Sequence, residues 1–106
     1  MRATLQNLEQ TIRERRGADP SASYVAKLAG KGRAKIAQKV GEEAVETVIA
    51  AMTGDRDGVV GESADLLFHL LMLLADMDVP LDAVLDELER REGVSGITEK
   101  AARPQD

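Results

Sequence analysis

The sequence has no cysteine and no tryptophan, its aromatic content is 2%, and it holds a single histidine. Without cysteine there is no disulfide framework, no thiolate metal site and no cysteine nucleophile; this fits a reducing compartment, and the cytoplasm is the expected location. So few aromatics remove the usual heavy anchors of a β-sandwich, and the core must come from Leu, Val, Ile, Ala and Met. The opening MRATLQNLEQTIRERR lacks the apolar stretch of a signal peptide. The longest apolar run, near residues 66–75, is too short to span a bilayer, so no membrane association is expected. Positive charge is in deficit: 14 Lys and Arg against 19 Asp and Glu leave a formal net charge of −5. That balance argues against general affinity for nucleic acid phosphates.

What is present reads as a small helical protein. A chain of 106 residues, 43% hydrophobic and 31% charged, holds one domain. Residues 1–92 are expected to form it, followed by an irregular Gly- and Ser-containing tail over 93–106. No stretch alternates at period two for long enough to argue a strand, and no internal repeat stands out, so the fold class is all-α. Leu5, Leu8 and Ile12 predict a first helix over about 4–16, stopped by Gly17. Ser21 or Ser23 caps a short helix through Tyr24, Val25 and Leu28 that ends at Gly30 and Gly32. A long helix over about 33–53 stops at Thr53-Gly54-Asp55, and a second long helix runs from Asp55 or Asp57 to about Asp76. Pro80 suits the first turn of a last helix through Leu81, Val84, Leu85 and Leu88.

Two long helices joined by so tight a turn form an αα-hairpin. In the second of them Leu66, Leu67, Phe68, Leu70, Leu71, Met72, Leu73 and Leu74 point in nearly every direction around the axis. A helix apolar all round needs cover on all sides, more than a chain this short can supply. The expected architecture is therefore a helical bundle built on the hairpin and completed by homodimerisation.

Carboxylates carry the chemistry. Glu43 and Glu46 on the first long helix, and Glu62 and Asp65 on the second, are each spaced i, i+3, which at about 100° per residue puts both members of a pair on one face. The hairpin brings the two pairs toward each other, since both lie on either side of the turn at similar separations from it. An unpaired carboxylate within an apolar helix is costly or takes up a proton, so a hard divalent ion with oxygen ligands is the natural occupant. Glu43 lies within roughly 20° of Ile36, at the margin of the apolar face. A solvated face of Lys–Glu pairs is the plainer account of Glu42, Glu43 and Glu46.

Lys27, Lys31, Arg33, Lys35 and Lys39 crowd the stretch before the acids, and such a patch beside a carboxylate site suits a metal-bridged anion such as a polyphosphate. His69 shares a stripe with Glu62, Asp65, Leu66 and Leu73. It reads as a metal ligand, a base or a buried hydrogen-bonding histidine, with a supporting role favoured because oxygen-rich magnesium sites do not favour imidazole. There is no Walker-type phosphate loop, and Ser21, Ser23 and Ser63 show no base arrangement marking a nucleophile.

EEAVE at 42–46 followed by ESAD at 62–65 is similar to the E-E-x-x-E, then E-x-x-D pattern of the all-α, MazG-like nucleotide pyrophosphohydrolases. The segments SYVAKLAGKGRAKIAQKVGEEAVETVIAA, ESADLLFHLLMLL, LDAVLDELERR and SGITEKAARP extend the likeness over almost the whole chain. They resemble the phosphoribosyl-ATP pyrophosphatase family of histidine biosynthesis, with Phe68 standing where tyrosine is expected. The resemblance implies magnesium-dependent hydrolysis of phosphoribosyl-ATP to phosphoribosyl-AMP and pyrophosphate. It implies Glu43, Glu46, Glu62 and Asp65 as metal ligands, Glu42 as a supporting or water-orienting residue, and Lys35 and Lys39 as triphosphate contacts. The competing readings are a related pyrophosphohydrolase that cleanses the nucleotide pool and a non-catalytic helical dimerisation module. The first would share the acidic motif and differ in substrate; the second would show no response to divalent ions.

Overall fold

The computed structural model describes residues 3–92, which form five helices and no strand. They are α1 (Thr4–Arg15), α2 (Tyr24–Gly30), α3 (Arg33–Met52), α4 (Arg56–Asp76) and α5 (Leu81–Arg91). Every expected helix is present. The tail expected over 93–106 lies outside the described residues.

Local chemistry sets most of the boundaries. Of the two candidate caps of α2 it is Ser23 that serves, its hydroxyl accepting from the Ala26 N–H at 3.2 Å; Ser21 instead donates its backbone N–H to Asp19 Oδ1. At the hairpin turn the Gly54 N–H reaches the Ala51 carbonyl and the Asp55 N–H reaches the Ala50 carbonyl. These two bonds make a Schellman motif, with Gly54 at φ 73° in the left-handed position that glycine tolerates without strain. Asp55 then caps α4 at once, accepting from the Gly58 N–H at 2.9 Å. One helix stops and the next starts across three residues, so α3 and α4 must run antiparallel side by side.

The start of α5 is less local. Pro80 stands one position before the first helical residue rather than within the first turn. The Leu81 N–H is satisfied from another helix, by Glu9 Oε2 of α1 at 2.7 Å. The C-terminus of α4 is likewise closed by basic side chains from elsewhere. Arg16 donates to the Ala75 carbonyl at 2.8 Å, and Arg33 Nε meets Asp76 Oδ2 at 2.7 Å. Cations at a helix C-terminus complement its dipole, and they commit Arg33 of the basic stretch to structure.

The core gathers at the end of the hairpin away from its turn. Ile12, Val25, Leu28, Ile36, Leu71, Met72, Ala75 and Leu81 form one buried cluster drawn from all five helices. The turn end is different: Val45, Val48, Ile49 and Met52 on α3 and Val60 and Leu67 on α4 are exposed. The spacing 45, 48, 49, 52 is one apolar stripe of a helix that none of the described residues covers. In its most apolar window α4 reaches a mean hydropathy of 1.5 with 22% of that window buried, so by length and composition alone it is long enough to cross a membrane. The ten-residue run at 66–75 understated its length, because Val59, Val60 and the glycines beside them continue the same helix.

Candidate metal centre between α3 and α4

The turn at Gly54 sets the register of the hairpin. Glu46 and Glu62 stand at equal sequence distance from Gly54, as do Glu43 and Asp65, so antiparallel packing brings each acid of α3 level with one of α4. Carboxylate oxygens of Glu43, Glu62 and Asp65 lie within 4.8 Å of one another. Glu43 is 6% exposed. Its Oε2, and Oε2 of Glu62, are buried without a hydrogen-bond partner.

Buried acceptors of this kind are costly unless something donates to them or coordinates them. Three like charges this close also favour a shared proton or a cation between them. Oxygen donors alone, negatively charged and converging, are the donor set of a hard divalent ion. The residues present therefore fit magnesium.

Glu46 borders the trio and, like Asp65, is exposed. The neighbouring Glu62 carboxylate, close enough to share a proton, holds the Glu46 pKa above its ordinary value, while an interaction with Glu43 pulls the other way. It also lines an open cleft of about 470 Å³ that runs toward the turn past Ile49, Ala50, Thr53, Asp55 and Glu62. Glu42 points elsewhere. It accepts from Gln38 Nε2 at 2.9 Å and lies 3.5 Å from Lys39 Nζ. The Gln38 hydrogen bond, with help from Lys39 and Lys35, lowers the Glu42 pKa against an opposing desolvation.

Lys39 lies over the buried acid, with Nζ 3.6 Å from Glu43 Oε1. Its desolvation is outweighed by Glu42, Tyr24 and Glu43, so its pKa is raised. Lys35, one turn earlier, is half-buried and acts on Glu42 through space.

Sequence reasoning passed over Tyr24. Its hydroxyl is 3.0 Å from His69 Nε2, its ring sits 5.9 Å from that of Phe68, and Phe68 meets His69 edge-on at 5.1 Å. The only tyrosine, phenylalanine and histidine of the chain thus meet beside Asp65. Rarity was the available signal: in a chain this poor in aromatics, each ring has a specific place. His69 is buried, with Nδ1 2.7 Å from the Asp65 carbonyl, so it supports the backbone that carries an acid of the cluster.

Residues 5–92 match the phosphoribosyl-ATP pyrophosphohydrolase family. The chain belongs to that family. It is 69% identical over 104 residues to a protein of Rhizorhabdus wittichii named phosphoribosyl-ATP pyrophosphatase, covering 98% of each chain. A protein of the same name from Novosphingobium aromaticivorans is 69% identical, with 93% of this chain and 92% of that one aligned. One from Dinoroseobacter shibae is 57% identical over 95% of this chain and 99% of its own. The match reaches into all five helices, so the acids of the hairpin and the frame that aligns them fall within the matched region. The likeness drawn from EEAVE and ESAD is thereby borne out at the level of the family.

Proposed function

We propose that this chain hydrolyses phosphoribosyl-ATP to phosphoribosyl-AMP and pyrophosphate, an early step of histidine biosynthesis, in the cytoplasm and with magnesium as cofactor. The family match carries the reaction. The single structural observation that supports the metal is the pair of buried, unpartnered carboxylate oxygens on Glu43 and Glu62, facing each other across the hairpin with Asp65.

On this reading Glu43, Glu46, Glu62 and Asp65 hold the ion. Magnesium bound there supplies neutralisation of the triphosphate and polarisation of the phosphorus under attack. Lys35 and Lys39, on the same helix as Glu43 and Glu46, meet the triphosphate oxygens as point charges. Glu42, kept ionised and turned to Gln38 in the free chain, would align the attacking water by turning its exposed carboxylate toward the bound triphosphate. Water oxygen forms the new bond to phosphorus, the anhydride bond breaks, pyrophosphate leaves, and the water proton passes to the aligning carboxylate.

The reading includes a homodimer. The stripe Val45, Val48, Ile49 and Met52, together with Val60 and Leu67, is the surface that a second copy would cover. A membrane is the poorer occupant, because Glu62 and Asp65 sit within the same apolar helix.

The deciding experiment is pyrophosphate release from phosphoribosyl-ATP and from a panel of ordinary and modified nucleoside triphosphates, each with magnesium and with EDTA. Magnesium-dependent preference for phosphoribosyl-ATP is the expected result. Preference for another triphosphate would move the protein to nucleotide-pool cleansing, and release from no substrate would revive the non-catalytic helical module.

A further inference from the structure

Two cationic contacts of α3 differ in kind. Arg33 Nε meets Asp76 Oδ2 at 2.7 Å, the length of a directional, charge-assisted hydrogen bond. Lys39 Nζ is 3.5 Å from Glu42 Oε1 and 3.6 Å from Glu43 Oε1, longer than such bonds and held by charge rather than by direction. Lys39 thus gives up little geometry on leaving. Its four-carbon stem lets the ammonium swing while the backbone stays helical. Glu43 is 6% exposed, and among the described residues its second oxygen has no hydrogen-bond partner and Lys39 is the one cation of the basic stretch that pairs with it.

We propose that Lys39 is the resident counter-ion of Glu43, competes with the divalent ion for that carboxylate, and couples metal binding to triphosphate binding by exchanging Glu43 for substrate phosphate. This rests on the metal reading given above. A divalent ion and an ammonium beside one carboxylate repel each other, so each lowers the affinity of the cluster for the other. A polyphosphate removes the conflict, because it offers Lys39 a new anionic partner and draws it off Glu43. Metal and polyphosphate then bind more tightly together than apart, and the coupling is reciprocal. The arrangement keeps the acids compensated in the free protein and favours full loading when the anion arrives. Lys39 is in this sense a positioning residue. Lys35 lies one turn away on the same helix and has no ion pair to Glu43, so it serves as the control.

The test is calorimetric titration of magnesium, with and without inorganic tripolyphosphate, into the wild-type protein and the variants Lys39→Met, Lys39→Gln and Lys35→Met. Without tripolyphosphate, both Lys39 variants are expected to bind magnesium about tenfold more tightly than wild type, within the usual range of coupling between sites. Tripolyphosphate should raise the wild-type affinity by more than it raises that of the Lys39 variants, in which only the ion's own attraction for phosphate and Lys35 remain. Lys35→Met should keep the wild-type metal affinity. Equal or weaker metal binding by the Lys39 variants, or an undiminished tripolyphosphate effect in them, would overturn the proposal. Failure of the metal reading itself looks different: wild type would bind no magnesium, or Glu62→Gln would bind it as tightly as wild type. A parallel readout is thermal stability, where magnesium should raise the melting temperature of Lys39→Met more than that of wild type.

Discussion

Tyr24 donates its hydroxyl to Nε2 of His69 at 3.0 Å, and the direction of that bond is fixed by the far side of the ring. Nδ1 of His69 lies 2.7 Å from the Asp65 carbonyl, which only accepts, so Nδ1 carries a proton, and in the neutral ring Nε2 is the acceptor that the Tyr24 hydroxyl meets. A chain of two hydrogen bonds therefore runs from α2 through His69 to the backbone of α4 at an acid of the cluster.

Removing the hydroxyl leaves that nitrogen buried and unpaired. Tyr24→Phe is expected to cost about 1–2 kcal/mol, the usual penalty for orphaning one buried acceptor. Chemical denaturation should show it as a lower midpoint with an unchanged slope. A neutral result would mean that water replaces the hydroxyl and that the tie from α2 to α4 is dispensable.

Glu62→Gln separates the metal reading from plain stability. The amide keeps size and helix propensity but removes a ligand charge, so magnesium-dependent pyrophosphate release should fall by about 100-fold or more, the scale seen when a metal shell is disrupted. The proposed homodimer should persist. In the metal-free protein the same change relieves Glu46, whose pKa is raised first of all by Glu62. A carboxylate with a raised folded pKa contributes stability below its unfolded pKa and loses it as pH rises through the folded one. Wild type without metal should therefore weaken relative to Glu62→Gln as pH climbs through the carboxylate range. Thermal melts in EDTA across that range measure it, and parallel curves would count against the shared-proton geometry.

Val48→Glu addresses the uncovered end of the hairpin. Val48 is 59% exposed in the single chain, so a charge there strains nothing within the protomer. Buried at a dimer contact, an unpaired carboxylate costs several kcal/mol. Sedimentation velocity should show wild type as a dimer and the variant as a helical monomer. A variant that still dimerises would place the interface elsewhere.

Glu87 provides the opposite sign of pH dependence. Hydrogen bonds from Arg90 and then Arg91 hold its carboxyl down to about 2. A depressed carboxylate contributes stability above its unfolded pKa of about 4.3 and loses it as pH falls toward the folded value. Wild type should be more stable than Glu87→Gln at neutral pH, with the difference closing between about pH 4.3 and about pH 2. Because the group is exposed, the gain should shrink in high salt; a salt-independent gap would point to packing instead.

Much of this architecture follows from short-range rules. Ser23, Gly54 and Asp55 mark helix ends because each satisfies or frees backbone groups within a few residues of itself, and such interactions need no knowledge of the rest of the chain. The three-residue turn then fixes the antiparallel register, and the i, i+3 spacing of the acids does the rest, which is why the facing of Glu43 and Glu62 was legible from the amino-acid order. Contacts between distant segments were not. That Glu9 satisfies Leu81, that Arg33 is spent on Asp76 and that Tyr24 reaches His69 depend on how the helices pack against one another, whereas the i, i+4 contacts of Lys39 with Glu43 and of Gln38 with Glu42 lie within α3 and need only its helical spacing. Helical periodicity tells which residues share a face, but it carries no information about which neighbour that face will meet; only the packed core sets those distances.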